Sequence, residues 1–244
     1  MAICMSGDFD FDEAMDVIEK YFGDMKPNKD LQMMNFEPEE EITEPIVREV
    51  WGLESERVAL AWRFPGAASD EALMLSVIDA IMNNGMAGII DLNLLQNQKL
   101  LSAFSFPYEQ TDYTAYFMQG TPKEGQTLDE VKELLLAQID ALRKGEWDES
   151  LLAAGIANYK LQVQQMLEDN SSRADLFVSA FVNGQKWADM VNRVERMEQI
   201  SKEDVLSFAN KHLKENNYAV VYKRQGQDPN VKKIAKPAIT PIFM

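Results

Sequence analysis

The sequence predicts an α+β domain in which helices pack on one face of a mostly antiparallel sheet. Short β-rich runs bounded by glycine and proline open the region 46–244, recur in its middle and close it. Between them lie longer segments with apolar residues at helical spacing and legible caps. The resulting order, β-β-α-α-β-β-α-α-α-α-β, is not the regular alternation of a parallel α/β sheet.

The first strand is read at 46–51, where Val47, Glu49 and Trp51 alternate, and the second at 58–64, closed by Pro65-Gly66. Gly52-Leu53-Glu54-Ser55 lies between them, so the two are expected to pair as an antiparallel hairpin. Ser69 caps a helix through Leu73, Val77, Ile78 and Ile81, which Asn83-Asn84-Gly85 breaks. A short helix over 89–98 follows Gly88, and strands at 100–108 and 113–120 flank Glu109-Gln110-Thr111-Asp112. Thr127-Leu128-Asp129-Glu130 is a capping box; the helix it opens buries Val131, Leu134, Leu135, Ile139 and Leu142 and stops at Gly145. Leu152, Ile156, Tyr159, Val163 and Met166 mark a long amphipathic helix, and another is read at 174–182. Ser201 opens a helix containing Val205, Phe208 and Ala209, and the last strand is 218–222.

Composition removes several function classes. The chain has 244 residues, 46% hydrophobic and 26% charged, an ordinary globular balance. Its 24 Lys and Arg against 40 Asp and Glu give a net charge of −16, and no basic cluster exceeds two residues, which argues against nucleic acid and anionic membrane surfaces. No apolar run approaches the ~20 residues of a membrane-spanning helix. A single cysteine, Cys4, forbids an internal disulfide. A single histidine, His212, forbids a two-histidine zinc centre made by this chain alone, so no cofactor is expected in it.

Charge also divides the chain. Residues 1–44 hold 13 acids and 3 bases, a net of −10, leaving −6 for the other 200. Glu37-Pro38-Glu39-Glu40-Glu41 and Glu44-Pro45 lack periodicity and read as a solvated connector. Before it, Ala2-Ile3-Cys4-Met5 has a brief strand signal, and Asp10 or Asp12 caps a helix bearing Ala14, Val17, Ile18, Tyr21 and Phe22 up to Gly23. One strand and one helix cannot bury a core. The expected organisation is therefore 1–25 as the terminal strand and helix of a truncated preceding domain, 26–45 as an acidic linker, and 46–244 as a complete domain. No signal-peptide pattern is visible.

Local motifs for chemistry are mostly absent. There is no dinucleotide or Walker glycine loop and no Gly-x-Ser-x-Gly elbow. Asn84-Gly85-Met86-Ala87-Gly88 sits between two helices, so it reads as a C-cap followed by a new helix start, not a phosphate cradle. His212, between Lys211 and Lys214 near a helix end, reads as a structural cation complementing the helix dipole. Cys4 reads as a small buried hydrophobe. No carboxylate pair stands out as an acid/base couple.

A resemblance carries more than any of these. The stretch from Cys4-Met5-Ser6-Gly7-Asp8-Phe9-Asp10 to Tyr21-Phe22-Gly23-Asp24 resembles the last strand and helix of the zinc-binding domain in insulinase/pitrilysin-type metallopeptidases. The remainder of the chain resembles that family's second, non-catalytic domain over nearly its whole length. The landmarks are Arg63-Phe64-Pro65-Gly66, Asp70 before the next helix, Asn84-Gly85-Met86-Ala87-Gly88, Gly120-Thr121-Pro122, Gly184-x-x-Trp187 and Ile200-Ser201-Lys202-Glu203-Asp204.

The resemblance implies two similar α+β domains per half of a clamshell that closes on an unfolded peptide. Zinc in the parent enzyme would be held by an inverted His-x-x-Glu-His motif in the missing catalytic domain. This chain carries none of those residues and is expected to be inactive alone. Many second domains in the family carry an Arg and a Tyr seven residues apart that grip substrate. The matching register here gives Gln96 and Ala103, or one residue later Asn97 and Phe104, and neither pair supplies a fixed positive charge. Catalytic residues are therefore expected to be none in this chain, with Gln96 and Ala103 as positional substrate candidates.

The expected function is a non-catalytic domain of a zinc-dependent metalloendopeptidase that helps enclose and orient peptide. Its partners would be the catalytic domain of the same parent and peptide substrates, basic ones modestly favoured by the net charge. A homo-oligomer stays open, and so does the compartment, a periplasmic parent included. The alternative is a catalytically inactive scaffold subunit of the same fold, as in processing-peptidase and core proteins. A third reading is a free-standing peptide-binding module that uses an exposed strand edge.

Overall fold

The computed structural model describes residues 1–32 and 36–228; the end of the domain expected to reach 244 lies outside the described residues. Its sheet comprises β1 (Ile46–Gly52), β2 (Arg57–Pro65), β3 (Ser102–Glu109), β4 (Tyr113–Thr121) and β5 (Tyr218–Gln225), in the order β1-β5-β2-β4-β3. Neighbours pair antiparallel except β1 and β5, which run parallel, so the sheet is mostly antiparallel as expected.

The expected β1–β2 hairpin is not formed, because β5 lies between the two strands. Their alternation is satisfied by either neighbour, so the pattern could not distinguish the arrangements. Residues 53–56 bridge the gap. Two strand spacings are roughly 9.6 Å, which four extended residues can span. Lys223 of β5 fills the space below. Its ammonium donates to the carbonyls of Gly52 at 3.3 Å, Ser55 at 3.1 Å and Glu54, groups that a hairpin ladder would otherwise have paired.

Alternation makes one sheet face apolar. Val58, Leu60, Trp62 and Phe64 of β2 are buried, as are Tyr116 and Met118 of β4 and Val220 of β5. On this face pack α2 (Asp70–Met82), α3 (Leu128–Lys144) and α8 (Lys202–His212). The caps read from sequence are all present. Ser69 accepts from the Ala72 amide, Thr127 with Glu130 and Ser201 with Asp204 form capping boxes, and Gly145 takes the left-handed conformation at φ 72°.

Further out, α4 (Ser150–Glu168) crosses α2 at Gly155, where an added Cβ would lie 2.8 Å from the Ala80 Cβ. Only Leu152, Gly155 and Ile156 are buried, so the predicted stripe loses its cover after the second turn and Met166 is exposed. Then come α5 (Asn170–Val182), α6 (Trp187–Val191) and α7 (Arg193–Met197). The last two span five residues each and are too short to show a helical period. The short helix expected at 89–98 is largely a π-helix, Asp91–Gln96.

At the N-terminus α1 (Phe11–Phe22) is capped by Asp10, whose carboxylate accepts from the Asp12 and Glu13 amides, but it buries no residue. Ala2-Ile3-Cys4-Met5 forms no strand among the described residues, and Cys4 is half-buried instead of core. A strand requires a neighbour to pair with, and no described strand lies beside this segment.

Candidate functional site

The helices leave the other face of the sheet open. Phe104, Phe106 and Tyr108 of β3 and Phe117 of β4 point to that side, opposite buried Ala103, Ser105, Tyr116 and Met118. The rings of Phe106 and Phe117 stack at 5.4 Å, with Phe104 stacked on Phe106 at 6.1 Å and Tyr108 edge-on to Phe117 at 6.3 Å. Next to this aromatic wall the strands carry small residues. Ala61, Ala115 and Ala219 line a groove of about 480 Å³ together with Tyr108, Tyr113 and Ile42.

A larger, contiguous groove of about 810 Å³ runs from Arg63 and Tyr113 to the end of α8. Glu37, Glu39, Glu41 and Asp112 line it beside Lys211 and Lys214. Arg63 and Tyr113 stand between the two grooves. Antiparallel pairing sets Arg63 opposite Ala115 and Pro65 opposite Tyr113, so Arg63 and Tyr113 sit diagonally on the open face. The guanidinium lies over the Tyr113 ring at 5.2 Å.

His212 closes the end of the larger groove, but not as the cation expected from sequence. Its ring packs on Phe208 at 4.6 Å and on Phe64 at 6.0 Å. Burial, with Lys211 and Lys214 nearby and Glu71 opposing them, pushes its pKa below the usual histidine value, so it is neutral at pH 7. Its part in the fold is ring packing.

The Asn84–Gly88 loop is closed to phosphate. The Asn84 side chain accepts from the amides of Met86, Ala87 and Gly88, and the Asp91 carboxylate accepts from those of Asn84 and Gly88. The amides that would cradle an anion are thus already used by the chain's own side chains. A Cβ on Gly88 would lie 2.6 Å from the Met82 carbonyl oxygen, which explains the glycine there.

The two positional candidates are not brought together on the open face. Gln96 braces the loop, donating to the Met86 carbonyl at 2.7 Å. Ala103 is buried on the helix-covered side, opposite Gly120. In the alternative register Asn97 ends the π-helix and Phe104 joins the aromatic wall. Among the described residues no group of three or more His, Cys, Asp or Glu side chains converges to hold a metal.

A polar cluster lies under the sheet. Asp79 of α2 accepts from the Ser105 hydroxyl at 2.6 Å and faces Tyr116, with Asp91 nearby. Burial is the main reason its pKa is pushed up to about 7, against the Ser105 hydrogen bond, which lowers it. The same burial, and the Asp79 charge, push the Tyr116 hydroxyl well above its usual value.

The sequence pattern of the Peptidase M16 inactive domain matches residues 1–159. The chain belongs to that family. Its fold is that of a protease from Helicobacter pylori, at a TM-score of 0.82 and 17% identity over 90% of this chain and 54% of that one. A peptidase M16 inactive domain from Pseudomonas fluorescens gives 0.71 and 13%, over 91% and 52%. A chain of Complex III2 from Candida albicans gives 0.73 and 14%, over 89% and 53%. The chain thus spans about half the length of these three solved structures. No curated protein matches it by sequence.

Within the M16 inactive domain, sequence reading missed the Arg63–Tyr113 pair and the Asp79 cluster. The signals were there. Arg63 interrupts an otherwise apolar β-run, and Asp79 is the one acid between Leu73 and Met82 in an apolar helix. Each is a polar residue where the pattern calls for an apolar one.

Proposed function

We propose that this M16 inactive domain forms a wall of the chamber in which a zinc metalloendopeptidase encloses and orients peptide. The family match over residues 1–159 carries the reading. The open sheet face supports it, with an aromatic wall, an alanine-lined groove and the larger groove contiguous with it, the kind of surface on which an extended chain can lie. Residues 1–25 are then the end of a preceding, zinc-binding domain, 26–45 the connector, and the remainder the non-catalytic unit. Zinc and its general base belong to the preceding domain, and this chain contributes walls and positioning.

The same fold in a chain of Complex III2 favours a second reading, an inactive scaffold subunit. One experiment separates them. The chain is mixed with the segment encoded directly upstream, and cleavage of a quenched basic peptide is followed with and without chelator. Chelator-sensitive cleavage that appears only in the mixture supports the peptidase reading. A stable complex without cleavage favours the scaffold, and no complex overturns both.

A further inference from the structure

The acidic connector is held against the domain by contacts to its main chain. The Glu39 amide donates to the Tyr113 hydroxyl at 2.8 Å. The Arg63 guanidinium donates to the carbonyls of Glu39, at 3.4 Å, and Glu40. The Asn216 side-chain amide donates from Nδ2 to the Thr43 carbonyl at 3.0 Å. Three separate elements of the domain, β2, β4 and the turn before β5, therefore grip residues 39–43. Because Arg63 lies on the Tyr113 ring, one packed unit presents both the donor fork and the acceptor hydroxyl. None of these contacts uses a connector side chain. Glu37, Glu39 and Glu41 are thereby left free to line the large groove beside Lys211 and Lys214. A solvated linker of this composition has no physical reason to satisfy its backbone on fixed side chains.

We propose that Arg63, Tyr113 and Asn216 form a latch that fixes residues 39–43 as a strap over the ends of β2 and β4, and that its release opens the large groove. Latched, the strap acts together with a second contact, in which Ser6 donates to the Asn170 side chain at 3.2 Å and accepts from the Arg173 guanidinium at 2.9 Å, to hold residues 1–32 to the domain. Its consequence for domain orientation rests on residues 1–25 being the end of a preceding domain, but the latch itself is a property of this chain. A failed latch therefore leaves the peptidase reading untouched, and a failed mixing experiment leaves the latch untouched.

The test uses the full chain and two readouts. Amide exchange is measured at Glu39, whose acceptor among the described residues is the Tyr113 hydroxyl, and cleavage by a glutamyl endopeptidase is followed within residues 37–44. In the wild type the Glu39 amide is expected to exchange about tenfold or more slower than in an unstructured peptide. Tyr113→Phe keeps the ring under Arg63 and should abolish that protection. Arg63→Gln should speed cleavage of the strap roughly tenfold, with exchange in the core of β4 unchanged. Should Arg63→Gln also loosen β4, Arg63→Lys decides, because it keeps the charge and stem but not the fork; faster cleavage supports the latch and wild-type cleavage overturns it. An unprotected Glu39 amide in the wild type, or protection that survives Tyr113→Phe, also overturns it.

Discussion

Asp79→Asn should make the protein more stable at pH 8, by about 2 kcal/mol more than at pH 5.5. Asp79 is buried, with its pKa pushed up from 3.8 to about 7 chiefly by loss of solvation. Between these values the folded chain holds a proton at this site that the unfolded chain has released. Folding stability from this group is therefore greatest at low pH and falls as pH rises through about 4 to 7. With tenfold in proton affinity worth about 1.4 kcal/mol, the ionised carboxylate costs on the order of 4 kcal/mol at pH 8. Asparagine cannot ionise, and its carbonyl oxygen can still accept from the Ser105 hydroxyl. A gain of roughly 2–4 kcal/mol at pH 8 is expected, or about 5–15 °C in Tm for a chain of this size. Urea unfolding followed by tryptophan fluorescence suits the measurement, since Trp62 and Trp147 are buried. The series should begin above the isoelectric point near 4.5 to avoid precipitation. Background titration of the acidic surface is common to both proteins and cancels in their difference. A difference that stays constant from pH 5.5 to 8 would refute the reasoning, as would a variant less stable than wild type by the same margin throughout.

Two further substitutions probe the sheet. At Gly66 a Cβ would sit 2.0 Å from the Thr111 carbonyl oxygen, and only backbone movement could relieve it, breaking the Ala67 amide to Gln110 carbonyl bond. Gly66→Ala should therefore cost about 3 kcal/mol in denaturant unfolding, and a loss below about 1 would mean that the turn can shift freely. Lys223→Met keeps the stem but strips the ammonium from the carbonyls of Gly52, Glu54 and Ser55. A loss of about 2 kcal/mol is expected, with faster amide exchange in the β1–β2 connection, and an unchanged midpoint would show that water replaces the ammonium at no cost.

What could be read from sequence and what could not divide along physical lines. The capping boxes at Thr127 and Ser201 and the left-handed Gly145 were legible because a cap is a contract between residues at most a few positions apart. The strands β3 and β4 were legible as β-rich runs on either side of 109–112, but a short connection alone does not fix pairing, since the similarly short 53–56 joins strands that β5 separates. The position of β5 was not legible. Its partners are about 160 residues away in sequence, and an alternating strand buries the same face whichever neighbour it takes. Half of the long stripe on α4 failed for a related reason, because periodicity says which side of a helix is apolar but not how far its cover extends.

The site shows the same limit more sharply. Arg63 and Tyr113 are 50 positions apart, and although Arg63 opens the Arg63-Phe64-Pro65-Gly66 landmark, no motif joins the two; only the β2–β4 register stacks them. The connector itself was legible as acidic and irregular, but its attachment was not, since Tyr113, Arg63 and Asn216 hold its main chain, whose hydrogen-bonding groups are the same for any sequence. In this domain the polar residues that organise the open face and the buried cluster are those that break the local pattern, a cation in an apolar strand and an acid in an apolar helix. That is the consequence expected when local patterning is spent on building the core and polar exceptions persist only where the tertiary fold gives them a partner.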